Sequence, residues 1–289
     1  ALGLLCALVL IAMFVALSLA PQTSMALSRQ AMGFSLAFYG LIGAVLIWLG
    51  VGSILCRRWA RALVLIASWS CLVGGIISLG FFAVFARDIF AQATYPAASS
   101  AMAFTAALLA IFFILLPGAM VLFYQRKDVA ATCAARDPVT RWTDRCPLPV
   151  LTCALWLAVC AISCLFTPVI YGSIVPWFGT LLTGAPATLV LVVCAAVCLY
   201  LAWATYRLRI EGWWITLAAF MIFSVLAIWT LLRIDLMEVY RRLGYPEQQI
   251  EQLRNLRFFT GKTMAWWSAL IYPLFLIYMI WIRKYFRKG

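Results

Sequence analysis

Glu247 and Glu251 lie four residues apart and share one face of a short predicted helix. Two carboxylates on one face suit general acid and base chemistry or the binding of a cation. The same segment is rich in arginine, and Glu251 reaches Arg254 at i,i+3, which favours ordinary solvated ion pairs. We therefore expect Tyr245, Glu247, Glu251 and Arg254 to form a surface that docks a partner rather than a catalytic site.

A second polar stretch, residues 125–147, separates two long apolar blocks. Within it, Arg141, Trp142, Asp144 and Arg145 combine charge with an aromatic ring, as a docking face for a partner protein or an anionic headgroup would. The alternative is a structured linker in which Asp144 caps a turn and Trp142 lies at the membrane interface. The sequence favours the linker, and we keep the docking face as the second interpretation.

Cysteines are numerous in the apolar segments, and several fall at helical spacing. Cys153, Cys160 and Cys164 share one face of one segment, and Cys194 with Cys198 lie four apart on the next. Thiolates that met between two such helices would suit Cu(I) or Zn²⁺. No CxxC pair and no His accompanies them, so we expect small packing residues rather than a metal site.

Charged side chains are missing from the central part of every apolar segment, which argues against a proton relay or a charged ion pathway. The chain also has no His, the commonest transition-metal ligand and the usual axial ligand of haem. Ser and Thr remain, but no base lies beside them in the sequence. We assign no catalytic, cofactor-binding or metal-binding residue, expect no cofactor, and favour a role without enzymatic activity.

The composition explains how these residues must be positioned. Of the 289 residues, 66% are hydrophobic and only 11% are charged, and the mean hydropathy is +1.04. A soluble domain has roughly 25% charged residues, so this chain cannot cover a surface that faces water. Residues 62–86 and 101–124 contain no charge and exceed the ~20 residues that cross a bilayer as a helix. The sequence predicts an all-α, polytopic bundle of membrane helices.

We predict about eight membrane spans from the apolar blocks. They comprise residues 2–20, 32–56, 62–86, 101–124, 148–170, 185–206, 213–232 and 264–282. The chain then divides into a first transmembrane part at 1–124, a cytoplasmic linker at 125–147 and a second transmembrane part at 148–289. The second part includes an external amphipathic segment at 234–262, with two short helices broken at Gly244, Tyr245 and Pro246.

Basic residues in the loops predict the orientation, because cytoplasmic loops are enriched in Lys and Arg. The loops after spans two, four, six and eight are basic. Their positive residues are Arg57, Arg58, Arg61, Arg126, Lys127, Arg136, Arg141, Arg145, Arg207, Arg209, Arg283, Lys284, Arg287 and Lys288. The loop after span seven is also basic and conflicts with the pattern. We expect an integral protein of a bacterial inner membrane with both termini in the cytoplasm.

The order of several marker residues is similar in the two transmembrane parts. A proline lies at the end of the first span of each, at Pro21 and Pro168, and another lies late in the fourth, at Pro117 and Pro273. A four-span unit returns to its starting side, so such halves would be parallel repeats. The pattern predicts a duplicated four-helix unit.

These features favour a non-catalytic integral membrane subunit or scaffold of a larger assembly. A transporter or channel for a neutral or hydrophobic solute is the alternative, supported by the repeat and the paired prolines. A membrane-embedded enzyme acting on lipid is the second alternative. The expected partners are membrane lipids, some of them bound, and other membrane subunits. The net charge of +13 lies at helix ends, so we expect no nucleic acid.

Overall fold

The computed structural model describes residues 29–91, 96–243, 245–255 and 260–286. Helices make up 84% of the structure, which confirms the all-α class. Six described helices are long and apolar enough to cross a membrane. They are Arg58–Ala86, Ala106–Tyr124, Leu148–Ile170, Ala185–Tyr206, Ile210–Arg233 and Gly261–Phe286. The chain is therefore a multi-span membrane protein.

The described residues of the first half of the chain form five helices. They are α1 (Arg29–Ile54), α2 (Arg58–Ala91), α3 (Pro96–Ala110), α4 (Leu116–Tyr124) and α5 (Lys127–Arg136). A π-helical turn, Ile111–Leu115, joins α3 to α4, so that the two form one span. A single 3₁₀ turn, Trp142–Asp144, follows α5.

Where the structure describes the second half, it contains six helices and one hairpin. The helices are α6 (Leu148–Tyr171), α7 (Ala185–Tyr206), α8 (Ile210–Arg233), α9 (Leu236–Arg242), α10 (Glu247–Asn255) and α11 (Gly261–Phe286). Strands β1 (Ile174–Trp177) and β2 (Thr180–Thr183) form an antiparallel hairpin between α6 and α7. The sequence did not predict this hairpin. The predicted break between the two short helices does lie between α9 and α10.

The six spans match six of the eight predicted ones closely, and α7 has the predicted ends. The first predicted span, residues 2–20, lies outside the described residues. The second overlaps α1, of which Gly40–Ile54 is a shorter apolar helix. The count of eight and the internal repeat therefore stay predictions.

The described residues form two compact units. One contains the described residues up to Leu72 together with Leu115–Arg145, and the other contains the described residues of 73–114 and those from Cys146 onward. In the first unit, α2 packs along α4, where the Ser68 hydroxyl lies 3.7 Å from the Met120 sulfur. The Ser53 and Tyr124 hydroxyls share a hydrogen bond between the ends of α1 and α4. The first unit thus brings three helix ends together.

The second unit is built around α6, α7, α8 and α11. The most extensive packing is between α6 and α7 and between α8 and α11. Trp213 of α8 is 2% exposed, and its indole N–H donates to the Met279 carbonyl of α11 at 2.8 Å. The Tyr278 hydroxyl donates to the Pro149 carbonyl at the start of α6. The beginning of α6, the beginning of α8 and the end of α11 therefore lie at one end of this unit.

The hairpin and α9 lie at the opposite end of the second unit. The Gly179 N–H at the hairpin tip donates to the Thr230 hydroxyl near the end of α8, at 3.4 Å. Asp235 caps α9 by accepting from the Met237 N–H at 3.0 Å. Met237 and Ile250 are buried, and the short helices α9 and α10 pack against each other.

Candidate functional site

A buried carboxylate lies at the beginning of α2. Asp137, which follows α5, is 1% exposed and accepts a hydrogen bond from the Arg58 backbone N–H at 3.4 Å. The first N–H groups of a helix have no partner within the helix, and a negative charge there is stabilising. Asp137 thus caps α2 from a loop 79 residues further along the chain.

Two arginines also contact this carboxylate. The Arg141 guanidinium donates to Asp137 Oδ1 at 3.1 Å, and Arg57 Nη1 lies 3.7 Å from the same oxygen. The hydrogen bond from Arg141 is the main reason why the pKa of Asp137 lies below its ordinary value of 3.8, although burial opposes the shift. Asp137 is therefore ionised at neutral pH and orients both guanidinium groups.

A second carboxylate completes the network. Asp144 Oδ2 accepts from the Arg141 backbone N–H at 2.9 Å and lies 3.6 Å from Arg58 Nε. We call Arg57, Arg58, Asp137, Arg141 and Asp144 the junction cluster, since it joins the turn before α2 to the loop after α5. Three positive and two negative groups leave it with a net positive charge.

The predicted docking residues of the 125–147 stretch are only partly brought together. Arg141 and Asp144 belong to the junction cluster, whereas Trp142 and Arg145 are exposed beside it. The stretch itself contains α5 and the 3₁₀ turn, and the linker interpretation stays a prediction. Whether these residues dock a partner stays a prediction.

The other predicted docking residues lie on α10 and just before it. Glu247 accepts a hydrogen bond from Arg241 of α9 at 2.9 Å, not from a residue of its own helix. Tyr245 packs edge-on against Tyr240 at 5.2 Å. Glu251 and Arg254 are both exposed, and no ion pair between them is found among the described residues. The structure gives α10 an outward charged face, and its docking role stays a prediction.

Glu238 of α9 holds that charged face together. It accepts from Arg241 at 2.8 Å and from Arg242 at 3.0 Å. The hydrogen bonds from Arg242 and Arg241 lower the pKa of the Glu238 carboxyl. The pKa of Arg241 is raised, chiefly by its hydrogen bond to Glu247. These side chains form ordinary ion pairs at the surface, and such an arrangement does not favour acid and base chemistry here.

The cysteines do not assemble a metal site in the described part of the chain. Within it, no three His, Cys, Asp or Glu side chains come together in a way that could hold a metal ion. Outside the spans, Cys133 and Cys146 are buried. Burial raises the pKa of both thiols, that of Cys146 to about 11. Such thiols are poor nucleophiles at neutral pH.

Sequence reasoning missed the central residue of the junction cluster. Asp137 precedes a proline, a setting typical of a turn or cap position. Its actual partners, Arg57 and Arg58, were interpreted as orientation signals. A lone acidic residue between basic ones was the available signal, but it does not identify a partner so distant in the chain.

Comparison with protein-family models, with curated proteins and with solved structures gives no significant match. The function must therefore be argued from the geometry of the chain.

Proposed function

We propose that this chain is a non-catalytic integral membrane subunit or scaffold that packs against other membrane helices. The observation that carries the proposal is how little of its spans the chain itself covers. Only 11% of the apolar 18-residue stretch in the span Ala106–Tyr124 is buried within the structure, and 33% of that in the most buried span, Ala185–Tyr206. Large aromatic side chains such as Phe123, 54% exposed, project from the least covered span.

The middle of α2 supports a helix partner rather than lipid alone. Gly74 and Ser78 lie one turn apart on an exposed face, and a Cβ placed at Gly74 would meet no atom within 4 Å. Small residues let the backbones of two membrane helices approach closely, and they are enriched where such helices associate. Lipid chains gain little from such a flat surface.

Gentle purification tests the proposal. The native protein, extracted in mild detergent, should run in native mass spectrometry as an assembly heavier than its 32.2 kDa chain. A stable, lone monomer would contradict the subunit role.

Two matched substitutions locate the contact. Gly74→Leu places a large side chain in space that is open within the chain, so the chain should fold while the assembly is lost. Ala196→Leu, on the exposed face of α7, makes a similar change away from the glycine face and should leave the assembly intact. Equal effects from the two variants would argue against a specific contact at α2.

The alternative of a transporter for a neutral or hydrophobic solute would require uptake by vesicles that contain the purified chain. The second alternative, a lipid-acting enzyme, would require loss of activity on substitution of Asp137, Arg141 or Asp144. The geometry of the described residues favours neither over the subunit role.

A further inference from the structure

We propose that the junction cluster binds the phosphate of an anionic phospholipid, whose acyl chains lie along the exposed apolar ends of α1 and α4. This inference concerns the lipid and depends only on insertion in a membrane. It holds whether or not the chain has subunit partners.

The cluster lies where a headgroup would be. The candidate span of α2 begins at Arg58, and the candidate span that includes α4 ends at Tyr124. The Arg61 guanidinium donates to the Tyr124 carbonyl at 3.0 Å, which ties the two ends together. Basic residues just outside a span are at the depth of lipid phosphates and attract anionic lipids.

The guanidinium groups of Arg57 and Arg58 retain donors for a phosphate. Each lies near a carboxylate, but at 3.7 Å and 3.6 Å, which is beyond hydrogen-bond distance. A guanidinium has five N–H donors in a planar fork that matches phosphate oxygens. Both side chains are partly exposed, at 41% and 30%. A ligand can therefore reach them from outside.

Two carboxylates offset the like charges of these arginines: Asp144 lies beside the Arg58 guanidinium, and Asp137 lies beside that of Arg57. Asp137 is almost fully buried and contacts Arg57, the Arg58 backbone and Arg141 at once. Ordering long side chains before the ligand arrives reduces the entropy that binding costs. The three guanidinium groups and two carboxylates of the cluster leave a net charge of +1, and Arg61, which bonds the Tyr124 carbonyl at the end of α4, adds a further positive charge to attract an anion.

The surroundings favour a lipid over a soluble phosphate. Ile54 is 80% exposed and Leu122 is 73% exposed; they lie at the ends of α1 and α4, next to Ser53 and Tyr124, whose hydroxyls are in contact. Leu55 and Phe123 are also more than half exposed. Apolar surface directly beside a cationic cluster matches an amphiphile, with phosphate on the arginines and hydrocarbon on these side chains.

Lipid binding to the full chain is the first test. Purified protein is exchanged into detergent with phosphatidylglycerol or phosphatidylcholine, and bound lipids are counted by native mass spectrometry. We expect the chain to retain at least one phosphatidylglycerol at a lipid concentration roughly 10-fold lower than the concentration it needs to retain phosphatidylcholine. Equal retention of both lipids would overturn the proposal. Displacement of the lipid by millimolar inorganic phosphate would show a site for free phosphate instead and would also overturn it.

A pair of double variants tests the location. Arg57→Gln with Arg58→Gln should weaken phosphatidylglycerol binding roughly 10- to 30-fold. Arg207→Gln with Arg209→Gln makes the same change of charge in the turn between α7 and α8, and it should change binding less than about 2-fold. Equal weakening by both pairs would mean a general charge effect and would overturn the assignment.

Photo-crosslinking of the unaltered chain tests the site without any variant. A phosphatidylglycerol with a photoreactive group on its acyl chain should label peptides that contain Ile54 and Leu55 or Leu122 and Phe123. The phosphatidylcholine analogue should label them weakly. Labelling of these peptides to the same extent by both probes, or by neither, would contradict the proposal.

Discussion

At the scale of single residues, Asp137 connects parts of the chain that are far apart in the sequence. Its carboxylate caps α2, accepts from Arg141 and lies near Arg57. Breaking a buried ion pair by removing one partner is costly, because the remaining charges lose their compensation. The fold of the first unit should therefore be sensitive to this one charge.

Asp137→Asn should lower the apparent melting temperature in detergent by roughly 3–8 °C. The amide still fits the site, but it leaves both guanidinium groups without a counter-charge. Asp128→Asn is the control, since Asp128 is exposed on α5 and should change the melting temperature by less than about 1 °C. Equal shifts in a thermal scan would show that the cap contributes no specific stability.

The same carboxylate predicts a dependence on pH. Because the pKa of Asp137 is depressed below 3.8 in the folded chain, the folded state favours the charged form. This stabilisation is complete above the ordinary pKa and is lost as the pH falls through it toward the folded pKa. Between about pH 5 and pH 3, the unaltered chain should lose more thermal stability than Asp137→Asn. Parallel pH profiles would contradict this prediction.

Trp213 is the corresponding buried contact of the second unit. Its N–H bonds the Met279 carbonyl, and Arg283 lies 5.2 Å from its ring centre. Trp213→Phe should destabilise the chain by about 1–3 kcal/mol, since a buried hydrogen bond and ring area are lost. Trp214→Phe, at a ring that is 51% exposed, should cost less than about 1 kcal/mol by thermal unfolding. A larger cost at Trp214 would be the opposite of what the packing implies.

At the scale of elements, the π-helical turn Ile111–Leu115 has a local cause. Pro117 lacks the N–H that a regular helix would direct to the carbonyl of Phe113, four residues earlier, and its ring would clash with that carbonyl. The wider turn accommodates the proline. The Phe113 carbonyl then lies against Gly75 of α2, where an added Cβ would be 2.5 Å from its oxygen.

Gly75→Ala should therefore force α2 away from this turn and lower stability by about 1–3 kcal/mol. Gly74→Ala adds the same methyl group one residue earlier, where nothing lies within 4 Å. It should leave stability unchanged or raise it by a few tenths of a kcal/mol, because alanine favours the helix. Comparing the two by thermal unfolding separates packing from helix propensity, and a loss in both would refute the proposed contact.

The elements differ in how far the sequence predicts them. Charge-free blocks bounded by arginine or proline predict the spans, because a helix in lipid must pair its own backbone. The hairpin turns through Phe178 and Gly179, both at positive φ, as a type I′ turn requires. Phe is not a typical residue at such a turn, so the sequence contains no recognisable hairpin signal at this position. The cap that Asp137 provides to α2 depends on tertiary packing between residues far apart in the chain, and the spacing of residues along the sequence does not predict it.

At the scale of the whole molecule, the second unit has two chemically different ends. Arg283 and the turn with Arg207 and Arg209 lie at one end, and the hairpin with α9 and α10 lies at the other. Since α8 is a candidate span between them, the two ends should face opposite sides of a membrane. From the distribution of Lys and Arg we predict that the end with Arg207, Arg209 and Arg283 faces the cytoplasm.

Site-specific labelling tests this central claim most directly. Arg207→Cys and Glu251→Cys are each treated with a membrane-impermeant maleimide in intact cells, with the unaltered chain as the background. We expect Glu251→Cys to be labelled in intact cells and Arg207→Cys only after the membrane is opened. Labelling of both positions from the same side, before or after opening, would contradict a membrane-spanning α8 and the orientation derived from it.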